Sequence, residues 1–300
     1  MKKMLFAAFA ALLAAGCRTN PDEDPATTKV LMIGNSFSIS CMRYLPAVAL
    51  DLGEELDVTS LYIGGCSLER HWGNATTNVL AKPYRMDRDV RGKRIADGRK
   101  TNVLDELMAR KYDIVTVQQA SHESWRPASY ACGDKLVAKI RELQPQAKIV
   151  VQETWSYTPW DKRLAKWQLT PDTMYAKLAE AYAGFARRNG LEVIRMGRAI
   201  QEWRRRLPVK YTDHSFGGDV VGGRFQPAAD QFKRTPESKW VPNCDVFHLN
   251  ERGEFFQALV WAAKLFPKAD VKACNVVPEG VSEDDAKLMR EIAAGVNNKE

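Results

Sequence analysis

Along most of the chain, short apolar runs alternate with longer segments whose apolar residues recur at helical spacing. The runs are KVLMI (29–33), DVTSLYI (57–63), YDIVTV (112–117), AKIVVQ (147–152) and LEVIRM (191–196). None alternates strictly between apolar and polar, the pattern expected of strands covered on both faces. Helical spacing marks Ile39–Glu55, Thr101–Arg110, Ala128–Leu143, Pro171–Asn189 and Asn250–Phe266, with Thr101 and Asn250 as the expected N-caps of their segments. The alternation predicts an α/β fold: a five-stranded parallel sheet between two helical layers, a three-layer sandwich joined by right-handed crossovers. That domain spans 29–270. Residues 271–300 form an accessory segment, in which SEDDAKLMREIAAGV predicts one helix capped by Ser282 and packed on the domain.

Two stretches interrupt the alternation, Gly73–Lys100 and Leu207–Cys244, the second containing FGGDVVGGRF. Loops this long inside a compact domain tend to serve function. In an open parallel sheet the ligand sits beyond the carboxyl ends of the strands, so the chemistry is to be sought just after each run.

The N-terminus differs from the rest. Lys2 and Lys3 precede the apolar run Met4–Ala15, too short for a permanent membrane span and typical of an export signal. Its end, LLAAGC, resembles a bacterial lipobox, which implies cleavage and lipidation at Cys17. A leader of residues 1–17 and a flexible polar spacer, 18–28, then tether the domain to the bacterial cell envelope, at the outer membrane or facing the periplasm, by a lipid anchor alone.

Composition adds constraints. The chain is 45% hydrophobic and 27% charged, an ordinary globular balance, and loss of the leader lowers its net charge of +7 by two. Eight basic residues between Lys82 and Lys100 face three aspartates. This segment reads as a solvated loop, with a patch for an anionic polymer as the alternative. Nucleic acid as a partner is disfavoured by the export signal. Beyond Cys17, the cysteines Cys41, Cys66, Cys132, Cys244 and Cys274 suggest one or two disulfides and at least one free thiol in an oxidising compartment. No CxxC or His/Cys cluster has zinc spacing.

The strand ends carry the candidate chemistry. Gly34-Asn35-Ser36 follows the first run, Gly64-Gly65-Cys66-Ser67 the second, and Gln118-Gln119-Ala120-Ser121 the third. These are small or amide-bearing residues, suited to converging N–H groups on one oxygen. Near the C-terminus CDVFHLNERG sets Asp245 three residues before His248, within reach of each other in a single turn. There is no G-x-S-x-G elbow and no Gly-rich phosphate loop. Asp213 and His214 also pair an acid with an imidazole, but they are adjacent and fall in an expected loop.

In order and content these blocks, in the forms IGNSFS, IGGCSLERHW, VQQASHESW and DVFH, resemble the SGNH (GDSL-like) hydrolase superfamily, in particular a bacterial lipoprotein branch. The resemblance covers Lys29 to about Phe266 and implies a flavodoxin-like sandwich and metal-free, cofactor-free acyl transfer. Ser36 is then the nucleophile, His248 its base and later the acid, and Asp245 the residue that orients the imidazole. The oxyanion falls to the backbone N–H groups of Ser36 and Gly65 and to the side-chain amide of Gln118 or Gln119, with Gln118 preferred because it abuts the strand. The chain departs from the commonest family pattern in having Asn35 before the serine and glutamine in the third block.

Trp72, Trp125, Trp155 and Trp160 lie on strand-end segments or nearby loops, where aromatic faces can stack on sugars. Trp72, Trp125, His71 and His122 are the candidate substrate contacts, although a hydrogen-bonded rim is the simpler reading of the two histidines. Envelope placement and these aromatics favour deacetylation of a sugar hydroxyl on an acylated, acidic glycan by a monomeric enzyme. The alternatives are an esterase for lipid, aryl or thioester substrates, with an apolar groove from 207–244, and a glycan-binding lipoprotein that has lost the chemistry.

Overall fold

The computed structural model describes residues 27–77, 85–96, 101–207, 211–212 and 214–297. The expected leader, Cys17, most of the expected spacer and Asp213 lie outside the described residues. Five parallel strands form the body of the sheet: β1 (Thr28–Gly34), β2 (Leu56–Tyr62), β5 (Ile114–Val117), β6 (Lys148–Gln152) and β7 (Glu192–Ile194). Each falls on one of the apolar runs. Val30, Leu31, Met32 and Ile33 are all buried, as the central strand of a sheet covered on both faces requires.

The sheet has seven strands rather than five. Within Gly73–Lys100, expected to be irregular, a hairpin of β3 (Arg85–Val90) and β4 (Lys93–Ala96) pairs antiparallel with the outer side of β2, giving the order β4-β3-β2-β1-β5-β6-β7. The hairpin escaped the hydrophobic pattern because its strands are charged, as edge strands often are. Three of its arginines are tied to acids: Arg88 joins Arg110 on Asp57, Arg91 meets Glu55 at 2.7 Å, and Arg94 meets Asp87 at 2.7 Å. Burial would raise the Asp57 carboxyl, but the two guanidiniums outweigh it and hold it below its usual range. The segment is therefore not a bare loop over these residues, and three of its guanidiniums are held by acids of the domain.

The helices are α1 (Ser36–Ile39), α2 (Leu45–Asp51), α3 (Leu68–Thr77), α4 (Val103–Ala109) and α5 (Ala131–Leu143). They continue with α6 (Lys162–Lys166), α7 (Pro171–Asn189), α8 (Met196–Arg206), α9 (Glu251–Leu265) and α10 (Glu283–Val296). In the packing α3, α4, α5 and α7 form one group and α2, α8, α9 and α10 the other, the two layers of the sandwich, which meet where α7 contacts α8. The expected Ile39–Glu55 helix is broken into α1, a 3-10 turn (Ser40–Arg43) and α2, where Pro46 lacks the N–H to continue the ladder. The cap of α4 is Asn102, whose side chain accepts from Asp105 N at 2.9 Å, and not Thr101. Asn250 and Ser282 cap α9 and α10 as the sequence predicts.

The five described cysteines are all free, so the expected disulfides do not form. They are dispersed over separate elements: Cys41 in the 3-10 turn, Cys66 after β2, Cys132 on α5, Cys244 ahead of α9 and Cys274 after a turn at Val271–Ala273. Leu207–Cys244 is not wholly irregular either, since β8 (Phe232–Arg234) and β9 (Trp240–Pro242) form a small separate hairpin.

Candidate active site

The strand order reverses at β1, between β2 and β5, and this switch point is where an open α/β sheet leaves a crevice. Ser36 opens α1 immediately beyond β1, so its N–H is among the helix's N-terminal donors. The turn is tightly held. Asn35 caps α1 by accepting from Phe37 N at 3.0 Å, and its amide donates to Cys66 O at 2.9 Å, tying the first strand end to the second. The Phe37 carbonyl accepts from the side-chain amides of both Gln152 and Gln257, each at 2.7 Å. A Cβ at Gly34 would lie 2.2 Å from Ser38 Oγ and 3.1 Å from Gln118 Oε1, so only glycine lets these groups close around the turn.

Ser36 Oγ lies 2.7 Å from His248 Nε2, and His248 Nδ1 lies 2.6 Å from Asp245 Oδ2. The other carboxylate oxygen, Oδ1, accepts from Phe247 N at 2.9 Å and His248 N at 2.7 Å. Burial alone would raise the Asp245 carboxyl. The His248 ring and the two backbone N–H groups more than offset it, holding the group below its ordinary range and ionised.

The loop bearing this pair is clamped by glycines that the sequence showed only as a loop motif. Gly222 N donates to His248 O at 2.8 Å and Gly223 N to Asp245 O at 2.9 Å. Gly222 has φ 87°, and a Cβ there would strike the Phe216 ring at 2.3 Å. Asn250 Nδ2 donates to Asp219 O and Gly222 O, and Arg204 forms a buried ion pair with Asp219 at 2.9 Å, so FGGDVVGG is a strap bonded to the helical layer.

The two glutamines occupy different places. The Gln118 amide donates to Asn35 Oδ1 at 3.0 Å and to Gln119 O at 2.7 Å, which uses both of its hydrogens. Gln119 accepts from Leu68 N and Ala120 N and donates to Ser129, bracing the start of α3. Neither amide is directed at an incoming oxyanion in this arrangement, a correction to the expected third donor; Gln118 instead positions Asn35. Gly65 lies exposed in the turn after β2, with φ 60°.

The aromatic candidates divide. Trp155 is fully buried; it stacks on Phe37 with centroids 4.1 Å apart and donates to Phe247 O at 2.9 Å, joining the nucleophile turn to the histidine loop. It offers no face to a sugar. His71 is also fully buried, with its imidazole pushed down to about 3 by burial and by Arg70 against an opposing hydrogen bond with Gly34, so it is a neutral core residue with no surface open to solvent. Trp72 is half-buried against the core. Trp125 is half-buried against Trp167, with Arg126 over its ring. Trp160 packs edge-on to Phe232. His122 is half-buried, and burial lowers its imidazole.

A doubly covered, mainly parallel sheet with an oriented serine, imidazole and carboxylate at its switch point defines an α/β protein with a nucleophile-type site. Residues 29–235 match the domain of unknown function DUF4886, and the chain belongs to that family. The matched span contains Ser36 but ends before Asp245 and His248. A DUF4886 protein from Bacteroides uniformis, solved as a crystal structure, is 28% identical with a TM-score of 0.73, over 89% of this chain and 93% of that one. Further similarities are to a candidate SGNH hydrolase from Slackia heliotrinireducens (20% identity, TM-score 0.49, 80% and 99% covered) and to an acetyl xylan esterase (14%, 0.46, 78% and 98%). No curated protein sequence matches the chain.

Proposed function

We propose that the protein is a serine ester hydrolase that removes an acyl group, most simply acetyl, from a carbohydrate hydroxyl. The observation that carries this reading is the continuous chain from Ser36 Oγ through the His248 ring to Asp245, with contacts of 2.7 and 2.6 Å. A hydroxyl becomes an effective nucleophile when an adjacent base takes its proton, and the imidazole can do so only if its Nδ1 keeps a hydrogen that Asp245 accepts.

In the proposed reaction His248 Nε2 takes the Ser36 proton as Oγ bonds to the acyl carbon. The oxyanion is met by the N–H groups of Ser36 and Gly65. Collapse breaks the ester C–O bond, and the sugar oxygen leaves with the proton returned by Nε2. A water then gives a proton to Nε2 while its oxygen attacks the acyl carbon, releasing the carboxylic acid and restoring Ser36.

The export-type leader and Cys17 lipobox support an envelope-anchored enzyme acting on extracellular glycans. A binding protein that had lost the chemistry would have no need to hold serine and histidine in contact, and the 2.7 Å approach counts against that alternative. The test is hydrolysis of 4-nitrophenyl acetate by wild type and by Ser36→Ala. Wild type is expected to turn over and the variant to lose at least 10³-fold in kcat, within the range for loss of a triad member. Equal rates in the two proteins would sink the assignment.

A further inference from the structure

The segment that follows β6 is bonded to the loop that carries His248. Trp155 Nε1 donates to Phe247 O at 2.9 Å, and Thr158 Oγ1 donates to Val246 O at 2.7 Å. The segment then enters α6, whose N-cap Asp161 is buried and accepts from Arg163 N at 2.9 Å. The same carboxylate takes the Arg163 side chain, with Nε on Oδ1 at 2.9 Å and Nη2 on Oδ2 at 2.5 Å. A guanidinium forked on one carboxylate is fixed in both plane and direction.

The fixed guanidinium lies against the histidine loop. Its Cζ is 4.2 Å from the centre of the Phe247 ring and 4.4 Å from that of Tyr157, close enough for a cation to be held by both aromatic systems. Phe247 immediately precedes His248, and their two rings pack with centroids 4.2 Å apart. The imidazole also meets Phe37 at 5.3 Å. These two walls differ in support. Phe37 is buried and stacked on Trp155, whereas Phe247 is half-buried and depends on what covers it. Burial disfavours the Arg163 charge, but the hydrogen bond to Asp161 and the fields of Tyr157, Asp161 and Asp245 outweigh it and hold the guanidinium above its ordinary range.

An imidazole that must meet Ser36 Oγ at 2.7 Å and Asp245 Oδ2 at 2.6 Å has little rotational freedom to lose. A displacement of about 1 Å at a reacting centre can cost about 10²-fold in rate. The backbone bonds fix the course of the loop, while the rotation of the ring is set by what its faces meet. We infer that Arg163 is a positioning residue of the hydrolysis: pinned on Asp161, it holds the Phe247 ring against His248 and so keeps the imidazole between Ser36 and Asp245. This role rests on the serine-hydrolase reading for the reaction it serves, whereas the contacts that create it do not depend on the substrate.

The test separates the cation from its packing. Arg163→Met keeps an unbranched stem without charge or fork, and Arg163→Lys keeps a cation without the fork. On 4-nitrophenyl acetate, Arg163→Met should lose about tenfold or more in kcat with KM within about twofold of wild type, and Arg163→Lys should recover part of that loss. Phe247→Leu removes the ring through which the effect travels, so adding Arg163→Met to it should cost less than about threefold further. Thermal melts identify any variant that fails to fold, and Arg163→Lys carries the comparison if Arg163→Met does. The second readout needs no turnover: the downfield proton NMR signal of the His248 Nδ1–H shared with Asp245 should be sharp in wild type, broadened in Arg163→Met and partly restored in Arg163→Lys. With active wild type, an unchanged kcat in Arg163→Met, a loss confined to KM, or an equal loss with and without the Phe247 ring would overturn the positioning role while leaving the hydrolase reading intact. If wild type is inert the hydrolase reading falls and the signal decides alone: unchanged in Arg163→Met, or absent from wild type, it overturns the role.

Discussion

Replacing Asp245 by asparagine changes one oxygen to an NH₂ group, and the surrounding hydrogen bonds dictate how the new side chain must sit. Oδ1 of Asp245 accepts two backbone N–H groups, from Phe247 at 2.9 Å and His248 at 2.7 Å. An amide NH₂ cannot face those donors, so the asparagine oxygen keeps that position and its NH₂ turns toward His248 Nδ1. Nδ1 must then accept, which moves the ring hydrogen to Nε2 and points it at Ser36 Oγ. The imidazole can no longer take the serine proton. The loss expected from a wrong-tautomer histidine is about 10⁴-fold in kcat, equivalent to about 5 kcal/mol at about 1.36 kcal/mol per tenfold. Stability should change much less because both backbone contacts persist, whereas Asp245→Ala removes them as well and should lower both kcat and Tm. The assay is steady-state hydrolysis of 4-nitrophenyl acetate beside a thermal melt. Activity of Asp245→Asn within tenfold of wild type, with the fold intact, would refute the proposed role of this carboxylate.

Other perturbations test the scaffold around the site. Gly222→Ala places a methyl against Phe216 at a position with φ 87°, so it should cost about 2 kcal/mol or more in stability and lower kcat by loosening the His248 carbonyl contact; chemical denaturation and turnover report the two effects. Asp219→Ala leaves the Arg204 guanidinium buried without its carboxylate and should destabilise by about 3–5 kcal/mol, with Asp219→Asn recovering part of that in urea titrations. Burial pushes the Glu153 carboxyl up to about 8 despite opposing effects of Arg195 and Arg198. The native state therefore binds a proton that the unfolded chain has released between about pH 4.5 and 8, and this group makes stability fall as pH rises, by up to about 1.4 kcal/mol per unit. Glu153→Gln should flatten that slope, and denaturation at pH 5 and pH 8 with an unchanged slope would show that the carboxyl does not titrate there.

The chain alone specified the features governed by local pattern. Apolar runs located all five parallel strands, Asn250 and Ser282 announced two helix starts, and the residues after the first run and in Asp-x-x-His marked where a site would form. Tertiary structure decided what depends on groups distant in sequence. Ser36 and His248 are 212 residues apart, and only the closing of the α/β/α layers sets the 2.7 Å between them. The same closure commits the Gln118 amide to Asn35, buries His71 and Trp155 in the scaffold, and separates the cysteines on different elements. The β3–β4 hairpin stayed hidden because its strands are recognised by pairing with β2 and by ion pairs to Asp57 and Glu55 rather than by any period of their own. Periodicity records which face of an element meets the core; which partner a polar group finds there is set by the fold that brings distant segments together.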